Sequence, residues 1–240
     1  MGRIVRTSRA VQSGDPLSMD NVRAGAAGAC ADISADSESL ILVDAADREI
    51  GHLSKDLCHL GRGILHRAFS LLIFNEAGEL LIQQRSPRKR LWPLHWSNSC
   101  CSHPRRGEPI EAATQRRLHE ELGIRCPLKF LFKFEYQAQY DRAGAEHELC
   151  SVYIGRYSGP LRVDRNEVEG WRWIAAPALE TELAERTADF TPWFRLEWVR
   201  IQRDHRAEIE RIGSRPAPAQ TVAEPPVLRS AGTDSPRSGA

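Results

Sequence analysis

Apolar residues concentrate between about residues 39 and 213, and their spacing sets the elements of the chain. Leu40–Val43 is a short apolar run that reads as a strand leading to Asp44. Phe69–Phe74 and Glu79–Gln84 flank Asn75-Glu76-Ala77-Gly78, a turn sequence that predicts a hairpin. Glu108–Leu122 is made of strong helix formers and meets Gly123 where a left-handed cap is wanted. Leu128–Tyr136 and Glu148–Tyr157 predict strands around the turn Asp141-Arg142-Ala143-Gly144, and Trp171–Ile174 predicts another. Pro177 suits the first turn of the helix after it. Phe194–Ile212 predicts a closing helix with Trp198, Val199, Ile209 and Ile212 available for burial. Strands and helices thus alternate irregularly, without an internal repeat. The expected architecture is a single mixed α/β (α+β) domain in which a helix is held against a mixed sheet.

The ends read differently. Residues 1–38 are rich in Gly, Ala, Ser and Asp with little periodicity, and predict a disordered extension. Arg3, Arg6 and Arg9 among small residues hint at an organelle-targeting leader, against which Asp15 and Asp20 weigh. Residues 214–240 carry Pro216, Pro218, Pro225, Pro226 and Pro236 and predict a disordered proline-rich tail. A formal net charge of +1 gives no global pull toward nucleic acid or membrane, so any basic feature is local. No apolar stretch approaches a membrane span, and none near the start resembles a signal peptide. The six cysteines are expected to be reduced, and the compartment to be the cytoplasm.

Three groups of residues could carry metal chemistry. Glu146 and Glu148 are two apart at a strand start, so their carboxylates share a side while His147 points away. Cys101 and His103 have the same spacing and share a face if their segment is extended. His59 and His66 are seven apart, two helical turns or a short loop. Three imidazoles and two carboxylates suit a divalent ion such as zinc, manganese or magnesium. Each residue alone also fits a solvated or satisfied position, and spacing does not join groups so far apart in sequence.

In the helix, Arg116 and Glu120, like Arg117 and Glu121, are four apart, the pattern of a solvated face laced with weak ion pairs. Gly107-Glu108 before them and Gly123-Ile124 after them change the picture. With those flanks the run is similar to the Nudix box, whose glutamates hold magnesium against a diphosphate. Two box positions depart from it: Ser102 stands where the first glycine belongs, and Arg117 where the hydrolases carry a glutamate. Glu121, with Glu120 beside it, is then a candidate magnesium ligand. Arg85, Arg88, Lys89, Arg90, Arg105 and Arg106 form a basic cluster too short for nucleic acid but suited to a small polyanion, or else an exposed loop.

Several further motifs follow in order: Gly51-His52-Leu53-Ser54-Lys55, His59 with His66, Leu91-Trp92-Pro93 and Asn98–Pro104. Glu120-Glu121-Leu122-Gly123, Glu146-His147-Glu148 and Thr191-Pro192-Trp193 complete the set. From about Leu40 to Ile212 the chain resembles the type I isopentenyl-diphosphate isomerases, a Nudix branch that isomerises instead of hydrolysing. The resemblance implies a Nudix-like mixed sheet sandwiched by helices. It implies that His59, His66, His103, Glu146 and Glu148 hold one tightly bound divalent metal (Mn2+, Mg2+ or Zn2+). Glu121 would hold a Mg2+ that arrives with the substrate. Lys55, Arg85, Lys89 and Arg117 would grip the diphosphate. Cys101 and Glu148 would be the proton-transfer pair, with Tyr136 assisting the glutamate and Trp193 lying over the reacting carbons. On this reading Cys101 acts as a thiolate favoured by nearby positive charge, and Cys100 faces away as a structural thiol. The expected partner is a small-molecule diphosphate, with no nucleic acid or membrane, and the expected state a monomer. The rival readings are a Nudix hydrolase of a nucleoside or prenyl diphosphate, and a non-catalytic metal-binding module.

Overall fold

The structure, a computed structural model, describes residues 38–214; the expected extension and proline-rich tail otherwise lie outside the described residues. Its organising strand is His66–Phe74, nearly every residue of which is buried. A strand covered on both faces needs apolar groups on both. Phe69, Leu71 and Ile73 accordingly enter one core cluster, and Ala68, Leu72 and Phe74 the other.

Nine strands form one mixed sheet: β1 Ser39–Val43, β2 Glu49–Ser54, β3 His66–Phe74, β4 Leu80–Arg85 and β5 Trp96–Ser97. β6 Cys100–Ser102, β7 Leu128–Tyr140, β8 Gly144–Arg156 and β9 Val168–Ile174 complete it. Helices α1 Lys55–Cys58, α2 Ile110–Leu122, α3 Ala176–Glu185, α4 Pro192–Asp204 and α5 Arg206–Ser214 lie among them. Ala113, Leu118 and Leu122 press α2 onto one face. Leu179, Phe194, Trp198, Ile201 and Ile209 press α3, α4 and α5 onto the other. The expected sheet sandwiched by helices is present. Gly123 closes α2 at φ 71°, as its place after Leu122 predicts.

Two expectations need correction. The hairpin at residues 75–78 pairs β3 with β4 only at Phe74 and Leu80, and then the strands part. Ser99 is the wedge: its hydroxyl accepts from Ile73 N (2.8 Å) and donates to Leu81 O (2.6 Å). β6 pairs with β3 and β5 with β4 in the gap so made, while β3 takes β8 as a parallel neighbour. The closing helix is two helices, broken at His205, whose ring stacks on Phe132 at 5.2 Å. That turn lets Ile209 reach the core, whereas Val199 stays on the outside, 66% exposed. β2 escaped the sequence pattern because neither of its faces is fully covered.

Glu197 of α4 is wholly buried, accepting a hydrogen bond from Ser70 on β3 (2.8 Å). Burial pushes its carboxyl from an ordinary 4.5 up to about 8. Its folded-state value exceeds its unfolded one, so its contribution to stability is complete below about 4.5 and is lost as pH rises toward about 8. Chemical denaturation of wild type and Glu197→Gln between pH 5 and pH 8 should give a difference in unfolding free energy that tilts against the wild type as pH rises; a pH-independent difference would show that Glu197 titrates normally.

Candidate functional site

Strand register brings the chemistry together. His66 of β3 lies opposite Glu148 of β8, and Tyr136 of β7 opposite Glu148 from the other side. Ser70 of β3 lies opposite Cys101 of β6, and Leu71 opposite Cys100. Alternation therefore sends Cys101 to the core of α4 and Cys100, fully buried, to the core of α2. Glu146 and Glu148 share a side, and His147 turns away to Glu135 (2.9 Å), as their spacing predicts. His59, just past α1, reaches the same place because Ala145 N donates to His59 O (3.0 Å). Gly144 permits that approach: a Cβ there would fall 2.2 Å from the His59 oxygen.

Ligand atoms of His59, His66, His103 and Glu146, all buried, lie within 4.8 Å of one another. Glu148 Oε1 adjoins them, 3.0 Å from His103 Nε2 and 3.8 Å from His66 Nε2. All five expected ligands thus converge. The Nδ1–H of His59 donates to Lys55 O (2.6 Å) and that of His66 to Ile64 O (2.7 Å). A carbonyl only accepts, so both rings carry Nδ1 protons, and Nε2 is the atom turned toward the cluster. His59 Nε2 and Glu146 Oε2 approach to 2.6 Å as a close pair, but neither is satisfied by a well-directed hydrogen bond. Two buried acceptors left in this way are what a cation between them would satisfy. The cluster is compatible with a divalent metal.

Charge supports the same conclusion. Burial holds the His103 imidazole down at about 4, despite Glu148, and keeps it neutral. Burial alone would raise the carboxyls of Glu146 and Glu148, but His59 draws the first below its ordinary value, and His103 with His66 the second. Burial would likewise lower the His59 value, but Glu146 raises it, so a proton on His59 competes with a metal ion.

A cavity of about 200 Å³ opens beside the cluster, lined by His59, His103, Glu146 and Glu148 and by Cys101, Tyr136 and Trp193. Tyr136 O–H donates to Glu148 Oε2 (2.8 Å). Lys55, Arg85, Lys89 and Arg117 also line it, so the expected proton-transfer and diphosphate groups share one space. Cys101 differs from expectation. Its nearby cation is Arg85, with Nη1 3.9 Å from Sγ, but burial wins and pushes the thiol up to about 12. Burial thus favours the thiol over the thiolate at Cys101. Burial, with the like charge of Lys89, brings Lys55 down to about 8.

Glu121 departs from expectation too. It is buried and absent from the cavity lining, behind Arg117, whose Nη2 donates to Glu121 Oε1 (2.6 Å). The solvated alternative fails for Arg117 and Glu121, which are 5% and 3% exposed, and holds for Glu120. Arg85 is largely committed: Nε donates to Trp92 O (3.0 Å), Nη2 to Leu91 O (2.9 Å), and its guanidinium lies 5.2 Å from the centre of the Trp193 ring.

Sequence reasoning missed Glu167. This buried carboxylate, in the loop before β9, pairs with Lys89 and accepts from Arg117 Nη2 (3.0 Å). Burial would raise it, but those two cations hold it well below the carboxylate range. Nothing in Arg165-Asn166-Glu167 distinguishes it from a surface loop; the signal lies in what β9 packs against.

A NUDIX domain family model matches residues 64–194. The isopentenyl-diphosphate Delta-isomerase of Burkholderia multivorans is 43% identical over 157 residues, 65% of this chain and 89% of that protein. The isopentenyl-diphosphate Delta-isomerase 1 of Photorhabdus laumondii is 42% identical over 170 residues, 70% of this chain and 97% of that protein. The chain belongs to the type I isopentenyl-diphosphate Delta-isomerase family. Among solved structures, the Deinococcus radiodurans protein DR0079 aligns with a TM-score of 0.52 at 24% identity, covering 62% of this chain and 90% of its own, and shows the same fold. Within an isopentenyl-diphosphate isomerase the altered box becomes intelligible: Arg117 supplies a buried cation at the cavity where a hydrolase helix carries an acid.

Metal analysis of dialysed protein should find about one tightly held divalent ion per chain. His103→Ala and Glu146→Gln should each abolish that retention while the fold persists. Stripping the ion should lower Tm by about 5–10 °C relative to free ion at a hundredfold over its Kd; an unchanged Tm and unchanged metal content in both variants would exclude the cluster as the site.

Proposed function

We propose that this cavity converts isopentenyl diphosphate to dimethylallyl diphosphate by a 1,3-allylic proton shift, for isoprenoid biosynthesis. The observation that carries the mechanism is the shared lining: Cys101, Glu148, Tyr136 and Trp193 face the same small space as Lys55, Lys89 and Arg117. The cationic side suits the diphosphate, with Arg117 offering a planar fork and the lysines point charges. Arg85 would contribute through the nitrogen that points to Cys101.

Moving a double bond requires a proton added at one end of the allyl unit and another removed at the far end. In the resting state Cys101 is a neutral thiol and Glu148 a carboxylate, an acid and a base already in place. The thiol proton goes to the terminal methylene, and the π electrons form the new C–H bond. A tertiary cation results; Glu148 then takes a proton from the carbon nearer the diphosphate, and those C–H electrons form the new double bond. Exchange of protons between the pocket and solvent resets the pair. Tyr136, donating to Glu148, orients that carboxylate. Trp193 covers the cation with an aromatic face, worth ~2 kcal/mol or more when desolvated, and offers no lone pair to attack it.

A divalent ion held by His59, His66, His103, Glu146 and Glu148 would supply Lewis acidity and fix the charge on Glu148. Three imidazole nitrogens favour zinc there, and the two carboxylates suit manganese or magnesium. Glu121 would take a magnesium carried by the diphosphate as Arg117 turns from it to the phosphate oxygens. The single-chain site supports action as a monomer. The five described cysteines are unpaired, which supports a reducing cytoplasm. No helix among the described residues is long and apolar enough to cross a membrane.

Incubation with isopentenyl diphosphate and magnesium in heavy water, followed by proton NMR, should give deuterated dimethylallyl diphosphate and no free phosphate. Phosphate release without isomer would return the site to the hydrolases. Cys101→Ala should cut kcat by roughly 10²–10⁴-fold with folding intact by circular dichroism. Activity within twofold of wild type would remove Cys101 from the proton path.

A further inference from the structure

Beneath Trp193 lie Ser70, Ser97, Asn98, Thr191 and Glu197, all with no exposure. Stability alone gives little reason to keep them, since apolar groups of the same shape can replace paired polar ones at little cost. Asn98 is their centre. Its Nδ2 donates to Cys100 O (2.7 Å), to Leu71 O (3.3 Å) and to Ser70 Oγ (2.7 Å), and Ser70 in turn donates to Glu197. Two of those partners are carbonyls that can only accept, which fixes the amide orientation and turns Oδ1 the other way. That oxygen accepts from Trp193 Nε1 (3.2 Å) and from Ser97 Oγ (2.8 Å). Ser97 also meets the Thr191 hydroxyl (2.9 Å), immediately before α4 begins.

One amide thus touches both walls of the cavity: the indole through its oxygen, and the backbone next to Cys101 through its nitrogen. We propose that Asn98 is a positioning residue that sets the gap between the Cys101 thiol and the Trp193 face, with Ser70 and Glu197 as its anchor. The inference rests on the roles given to Cys101 and Trp193 above. Asn98 does not line the cavity itself. It holds the indole plane against the reacting carbons and keeps the gap too narrow for water. When the amide is lost the indole can tilt, and a water oxygen can bond to the tertiary carbon of the cation and lose a proton, leaving a tertiary alcohol diphosphate in place of the alkene.

The test compares Asn98→Ala, Trp193→Phe and their double variant on the full chain with its metal, reading kcat and KM separately, Tm, and the alcohol fraction of product by NMR. Trp193→Phe keeps an aromatic face and loses the N–H donor together with one of the two fused rings. Asn98→Ala should lower kcat roughly 10- to 100-fold, as expected for a slight misplacement of reacting groups, with KM within about twofold. Alcohol should appear that wild type does not form. The double variant should be no worse than the weaker single variant, because both remove the same bond. Additive losses, or a fall in Tm with kcat and product unchanged, would overturn the proposal. Should Asn98→Ala fail to fold, Ser70→Ala removes an anchor of the amide and leaves its bond to the indole; it should form the alcohol in smaller amount than Trp193→Phe does, and product free of alcohol would count against the proposal. Trp193→Leu with wild-type turnover and no alcohol would instead sink the role of the indole itself.

Discussion

The parallel pairing of β3 with β8, in the register that sets His66 opposite Glu148, is the constraint on which the site depends. Side chains on a strand alternate, so a slip of one residue would send Glu146 and Glu148 to the α2 side and His147 into the cluster. The register is enforced by burial on both faces: Cys150, Val152 and Ile154 on one side, Tyr153 on the other. The same two strands carry the neighbouring ladders, β3 with β6 and β8 with β7, which set Cys101 opposite Ser70 and Tyr136 opposite Glu148.

Around this frame the protein keeps two charge systems apart. One is acidic and rich in imidazole: His59 offsets the charge of Glu146, while His103 stays neutral and hydrogen-bonds Glu148. The other is cationic and keeps Arg117 and Lys89 together by placing Glu167 between them. Buried like charges repel strongly in a weakly polarisable interior, so each system needs its own counter-charges. The cavity lies where the two meet. That junction suits a ligand with an anionic head and a short apolar body.

Much of this was legible in the sequence, and the parts that were not share a cause. Glu146-His147-Glu148 announced itself because strand periodicity is local, and Gly123 because a helix cap is local. The convergence of His59 and His103 with Glu146 was not legible from spacing, because register and the close approach at Gly144 are long-range; only likeness to a family supplied it. The hairpin at residues 75–78 misled because Ser99, more than twenty residues away, opens it. At Cys101 burial opposes the thiolate that its charged neighbours suggest, since a charged neighbour can be read from sequence but depth of burial cannot. Glu167 stayed hidden because its partners come from the loop after β4 and from α2.

The wedge made by Ser99 has a further meaning. It parts β3 from β4 and admits the Ser97–His103 segment into the sheet, and with it the thiol. The cations of the cavity come from elsewhere: Lys55 from α1, Arg85 from the end of β4, Lys89 from the loop after it and Arg117 from α2. On the proposed mechanism, reagent and handle are therefore separate inheritances within one scaffold. A lineage could exchange the inserted segment, and so the reaction, while its hold on diphosphates passed on unaltered.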